Sequence, residues 1–310
     1  MLINIDKKAY YDIFSEDPHP FVSKKFVDIN GYKVDQVLML VEDSMKPKIG
    51  IIAGIQDRSL LCPFSAPFGG FHFTHELIYI SVINSFIEDL KRYAISKGLS
   101  FIKITLPPNI YHQTINSKLI NSLFNSGFKI KALDITSWVD LKSFENRFSQ
   151  KRSREYLKQA LNNGLFFKPV TQIDEKLEAY ELIRMNRSQF GRRIFMSFED
   201  LEKINEIWNV DYFVVKDKND EILASAIFYR AHKSIVYAVF WGDNEKGRSK
   251  RAMNFCLFNL WNYYKQSGFK FLDISISSEE GIPNEGLLRF KETHEAISSL
   301  RYTFTWSPDA

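Results

Sequence analysis

The chain has 310 residues, of which 45% are hydrophobic and 15% aromatic, so disorder and low complexity are excluded and one large or two medium domains are allowed. Its net charge of +4, from 41 basic against 37 acidic side chains, is too mild to signal nucleic acid by itself, and DNA is not expected as a partner. Two cysteines, Cys62 and Cys256, lie in apolar surroundings without metal-ligand spacing and read as inert buried thiols.

The N-terminal stretch "MLINIDKKAYYDIF" carries charges by its eighth residue and lacks the apolar core of a signal peptide. No apolar run approaches the roughly 18 residues of a membrane helix, so a cytoplasmic protein is expected. "QVLMLVE" and "KIGIIAGI" read as strands. After them comes "PFSAPFGG", 63–70, in which prolines stiffen a loop and Gly69 and Gly70 permit close backbone approach. The loop reads either as a tight crossover or as the lip of an acceptor groove between domains, with Ser65, Phe68, Gly69 and Gly70 as candidate substrate contacts.

Ile83, Phe86, Ile87, Leu90 and Ala94 form one helical stripe, which Gly98 closes before the strand at 101–106. The same pattern recurs 170 residues later: "DLKRYAISKGLSFIKITL" aligns without a gap on "NLWNYYKQSGFKFLDISI". The offset also matches 116–127 with 286–297, each a short helix followed by an apolar strand. Each half therefore reads β-β-(β)-α-β-α-β, an α+β arrangement with a mixed, mostly antiparallel sheet flanked by helices. The expected boundary divides the chain into residues 1–141 and 142–310.

The second half opens on "KSFENRFSQKRSREYLK", 142–158, with six basic and two acidic residues, and on a helix ending at Asn162, Asn163 and Gly164. Helices at 174–189 and 198–208 follow, then the hairpin turn "KDKNDE" and the strands "ILASAIFY" and "SIVYAVFW". In "RMNRSQFGRR", Arg187, Arg192 and Arg193 are candidates for gripping a phosphate or carboxylate of an acceptor. In "GDNEKGRSKRAMNF", 242–255, Asn244, Gly247, Arg248, Ser249, Lys250 and Arg251 open a helix and suit an anion site. Asp273, at the end of "FKFLDIS", reads equally as a candidate general base or as a capping or turn carboxylate. His72, His75 and His112 lack metal-ligand spacing, so no metal is expected.

Three stretches resemble the FemAB-like acyltransferases, which place two GNAT-type (acyl-CoA N-acyltransferase) domains in tandem: "PFSAPFGG", "SQKRSREYLKQALNNGLFFKPV" and "GLLRFKETHE", 286–295. The resemblance implies tandem GNAT-like domains and direct acyl or aminoacyl transfer to an amine, on a cell-envelope or sugar-nucleotide precursor. It makes Lys291 the first catalytic candidate, its charge offered to acceptor or oxyanion, with Phe290 beside it in the substrate channel. It also implies an activated co-substrate in place of a permanently bound cofactor. The loop at 242–251 meets the coenzyme A pattern in part, which favours acetyl-CoA or another acyl-CoA as donor; aminoacyl-tRNA is the other donor the family uses, and the basic stretch 142–158 suits it. His294 and Glu295 stand where the family continues with Phe-Gly. That departure raises the alternative of a non-catalytic ligand-binding protein on the duplicated fold.

Overall fold

A computed structural model describes residues 1–192, 194, 196–230 and 232–308. Contacts gather the chain into two compact units, residues 1–135 with 278–283 and 299–310, and residues 136–277 with 284–298. A single cut at residue 142 therefore does not describe the molecule, because the C-terminal strand returns to the first unit.

The first unit begins with β1 (Leu2–Asn4), α1 (Lys7–Ile13) and α2 (Lys24–Asn30), the two helices capped by Asp6 and Ser23. Strands β2 (Gln36–Glu42), β3 (Ile49–Gln56), β4 (Ser59–Cys62) and β5 (Gly70–Phe73) follow, then α3 (Ile80–Ser96), β6 (Phe101–Thr105), α4 (Gln113–Asn125) and β7 (Lys129–Asp140). β1 to β4 pair antiparallel in order, β5 adds to β3, and β4 lies parallel to β6. The predicted stripe of α3 is its buried face, packed on Leu38, Ile51, Leu60 and Ile102. Gly98, at φ 65°, ends the helix: its own N–H bonds Ile95 O, and the Leu99 N–H bonds back to Ala94 O.

The second unit holds α5 (Lys151–Asn162), β8 (Phe166–Val170), α6 (Ile173–Gln189), α7 (Phe198–Asn205), β9 (Val210–Lys216), β10 (Ile222–Tyr229) and β11 (Ile235–Asp243). After these come α8 (Glu245–Ser249), α9 (Ala252–Gln266), β12 (Phe271–Ile276), a small hairpin of β13 (Ser278–Glu279) and β14 (Ile282–Pro283) that belongs to the first unit, α10 (Glu285–Glu292) and β15 (Ile297–Trp306). β8 to β11 pair antiparallel in order, and β11 lies parallel to β12. The 170-residue repeat is thus structural: α3–Gly98–β6 corresponds to α9–Gly268–β12, with Gly268 at φ 84°, and each copy supplies its unit's parallel strand pair.

The repeat hides an exchange of last strands. Residues 136–140 of β7 pair with β12 in the second unit, whereas Thr303–Trp306 of β15 pair with β6 in the first. Within the first unit this brings Arg301 onto Asp134 at 3.1 Å, both buried, with Ser278 and the Gly281 N–H also donating to Asp134. Despite the burial that opposes it, this set of donors holds the Asp134 carboxyl below its usual range. Arg301 further donates to the Pro67 carbonyl at 2.9 Å, so the returning strand braces the 63–70 loop.

Among the described residues no helix is long and apolar enough to cross a membrane, and no cluster of three or more metal-ligating side chains occurs. Cys62 and Cys256 are both buried, and burial pushes each thiol well above its ordinary value.

Candidate active site

β11 and β12 run side by side for only three residues, from Ile235/Phe271 to Tyr237/Asp273. Beyond that point β11 continues to Asp243 against β10 alone, with a bulge that leaves Val239 unpaired. β12 has its own irregularity there: its pairing with β7 jumps between Asp273 and Ile276, and Ser275 sits at φ 62°. The Asp273 carboxylate accepts the Ser275 N–H at 2.9 Å and so fixes the bulge. Beyond Tyr237 and Asp273 the facing edges of these two parallel strands are no longer paired with each other.

Lys291 enters that region from α10, whose Asn284 cap accepts the Leu287 N–H at 3.0 Å. Its side chain is almost wholly buried, 2% exposed, and Nζ donates to the Ser275 and Ile276 carbonyls at 2.9 and 2.8 Å. Burial lowers its pKa to about 7; the Asp273 carboxylate works against that shift and the Arg187 guanidinium adds to it. Arg187 projects from α6 over the Phe240 ring, 5.6 Å from its centre, and is itself lowered by burial and by Arg192. The strand end therefore gathers Lys291, Asp273 and Arg187. Asp273 is buried with one carboxylate oxygen committed to the bulge, which makes it a support for the turn more than a free base.

The depressed Lys291 pKa has a consequence for stability. The unfolded chain holds this proton up to about pH 10.5, while the folded chain releases it near 7. The unfolded state binds more protons between those values, so stability rises with pH across the window. Denaturation midpoints measured from pH 7 to 10 should climb for the wild type, and Lys291→Met should flatten that climb.

Sequence reasoning missed the polar groups beside Lys291. Ser137 lies opposite the β12 bulge, between Thr136 and Trp138, which pair with Ile276 and Asp273. Its hydroxyl and that of Ser277 are buried and have no hydrogen-bond partner among the described residues, so both suit a bound ligand or water. The Tyr237 hydroxyl reaches Ser275 Oγ at 3.4 Å. The bulge that assembles these groups leaves no mark in a hydrophobic pattern.

Phe290 packs half-buried against the core of the second unit, its ring 4.5 Å from that of His294. The replacement of Phe-Gly by His294 and Glu295 preserves the turn. Glu295 adopts φ 69°, the left-handed conformation that glycine favours, and its carboxylate accepts the Ser149 N–H. His294 is buried, with Nδ1 on the Phe290 carbonyl at 2.6 Å and Nε2 facing Asn254 Nδ2 at 2.8 Å.

The loop at 242–251 is occupied by the protein's own groups. Asn244 Oδ1 takes the Gly247 N–H at 2.7 Å, and a Cβ on Gly247 would stand 2.1 Å from the Leu223 carbonyl oxygen. Lys250 and Lys246 both bind Asp217 at 3.0 Å and hold its carboxyl well below the usual range. Arg248 bonds Asp243 and Gln189, Ser249 donates to the Lys246 carbonyl, and Arg251 lies on the Tyr156 ring at 4.0 Å. Asp243, at the start of the loop, is pushed up to about 6 by burial. A groove of about 440 Å³ faces Asn244 and carries Glu178, Glu181, Asp220 and Glu221. Carboxylates at this density disfavour a diphosphate in that groove.

The first-unit candidates form a braced loop. Ser65 donates to Asn30 Oδ1 at 3.1 Å and accepts from Lys33 Nζ at 3.0 Å. Phe68 is buried among the rings of His19, Phe21 and Tyr111. Gly69 donates to the Thr105 carbonyl where Pro63 leaves no room for a Cβ, and Gly70 takes φ 142°. Arg192 is exposed at the end of α6, and Arg193 lies outside the described residues.

No protein-family model and no curated relative matches the chain. Solved structures do. FemX superposes with a TM-score of 0.69 at 12% identity, over 99% of this chain and 97% of that one. The C-terminal domain of a putative lysylphosphatidylglycerol synthetase from Agrobacterium fabrum gives 0.61 at 14%, over 98% and 93%. A tandem GNAT protein from the clavulanic acid biosynthesis pathway gives 0.56 at 7%, over 99% and 98%. With two α+β units related by an internal repeat, the chain has the FemAB-like fold of tandem GNAT domains.

Proposed function

We propose that the protein is an N-acyltransferase that moves an aminoacyl group from an RNA-borne ester to an amine. The observation that carries this reading is the buried Lys291 ammonium, held on two carbonyls where β11 and β12 part. In direct transfer the amine nitrogen attacks the ester carbonyl, a C–N bond forms and the C–O bond breaks. The departing hydroxyl carries away the proton that the amine gives up. The positive charge of Lys291 stabilises the oxyanion that develops on the carbonyl, in a site where little water screens it. Arg187 adds positive charge on the acceptor side, and Asp273 keeps the bulge in shape.

Two observations favour an RNA-borne ester over acyl-CoA: Lys246, Arg248 and Lys250 of the 242–251 loop are engaged in internal ion pairs, and the second unit opens on a cationic helix. FemX and the lysylphosphatidylglycerol synthetase domain share the fold, and the latter's name describes a lysyl group joined to a lipid.

The pH profile tests the role of Lys291. Activity requires the charged Lys291 and an uncharged acceptor amine, which titrates above 7, so the rate should rise with pH only to about 7 and then level off before it falls. Lys291→Arg keeps the charge and should shift the levelling-off upward by at least about two pH units. Levelling off at the same pH in a folded variant would assign it to another group.

A further inference from the structure

The cationic helix that opens the second unit carries a fixed pair of arginines outside the Lys291 site. Arg152 Nε donates to the Tyr156 hydroxyl at 2.7 Å, with its guanidinium 5.3 Å from the ring centre. Arg251, from the α8–α9 junction, lies 4.0 Å from the centre of the same ring and donates through Nε to Gln159 Oε1 at 3.3 Å. One tyrosine thus holds two guanidinium groups. Among the described residues neither has a protein acceptor for its terminal Nη groups. Lys151 and Lys158 are exposed on the same helix, while Leu157 and Ala160 turn into the core. Arg251 reaches this position from a left-handed backbone, φ 60°, a conformation that disfavours side chains other than glycine and asparagine.

Guanidinium forks held against one tyrosine, Arg251 at its ring and Arg152 at its hydroxyl, suit phosphate oxygens, and the surrounding cations suit a chain of them. Leu157 and Ala160 of α5 pack into the core and Leu161 is its one exposed aliphatic side chain, so the helix lacks the wide apolar face that binding a lipid surface requires. We propose that Arg152 and Arg251, set by Tyr156, bind the phosphodiester backbone of the RNA that brings the donor. What the RNA carries rests on the transfer reading above; the phosphate contact itself does not.

Binding of uncharged tRNA to the full chain, followed by fluorescence anisotropy from about 50 to 300 mM salt, tests the proposal. Arg152→Gln combined with Arg251→Gly should weaken binding at least about tenfold and lower the salt slope by about 1.5 to 2. Glycine suits φ 60°, so this variant keeps its fold. Lys129→Glu with Lys131→Glu, exposed positions of the first unit, should leave the affinity within about twofold. Equal loss in both variants, or unchanged binding in the arginine variant, overturns the proposal. So does failure to bind tRNA, with or without binding to vesicles containing phosphatidylglycerol. If tRNA binds through the arginines but no transfer follows, the phosphate site stands and the transfer reading falls.

Discussion

Lys291→Met should lower the rate of acyl transfer by about a hundredfold, or about 3 kcal/mol in the barrier, the loss expected when one donor to a developing oxyanion is removed. Methionine keeps the unbranched stem and fills the same buried channel, so packing changes little. Two opposing effects act on stability. The Ser275 and Ile276 carbonyls lose their partner, which costs about 1 to 3 kcal/mol, while a desolvated cation leaves the core and relieves a comparable penalty. Circular dichroism and thermal melting should therefore match the wild type within a few degrees while turnover collapses. If turnover and melting temperature fall together, Lys291 is a structural cation that ties α10 to β12.

Gly247→Ala should produce the opposite result, a large loss of stability. The added Cβ would lie 2.1 Å from the Leu223 oxygen and 3.0 Å from its carbonyl carbon, and backbone cannot rotate out of the way. Relief requires lifting α8 from the start of β10, which breaks the Asn244 cap and its bonds to Ile222 and Leu223. The expected cost is about 3 kcal/mol, or a fall in melting temperature of about 10 °C for a unit of this size. A phosphate cradle predicts otherwise: its glycine faces a ligand, so alanine would spare the fold and weaken donor binding. Differential scanning calorimetry distinguishes the two outcomes.

These two residues show where the sequence was readable. Local signals carried far: the α3 stripe, Gly98 and Gly268 follow from helical periodicity and from the left-handed residue that ends a helix. Lys291 stood out through its resemblance to a short signature, and the structure buries it on the Ser275 and Ile276 carbonyls. What depended on distant partners was not readable. Lys250 looks like an anion-binding group in its own loop, but Asp217, in the β9–β10 turn, binds it together with Lys246. The exchange of β7 and β15 escaped because hydrophobic alternation fixes which face of a strand is buried and says nothing about its neighbour. The Asp134–Arg301 pair, 167 residues apart in sequence, follows from that exchange. Glu295 taught the converse: a non-glycine residue at a glycine position still makes the turn when its own carboxylate finds an N–H to accept.

The central claim, that acyl groups pass from an RNA ester to an amine beside Lys291, is tested most directly by following label. Wild-type protein and Lys291→Met would be incubated with tRNA charged with radiolabelled amino acids and a protein-free extract rich in small-molecule amines, with labelled acetyl-CoA in a parallel reaction. The account predicts that wild type moves label from tRNA into an acid-soluble, base-stable amide, that Lys291→Met does so about a hundredfold more slowly, and that acetyl-CoA stays intact. Transfer from acetyl-CoA, or transfer from tRNA that proceeds equally well without Lys291, would contradict it.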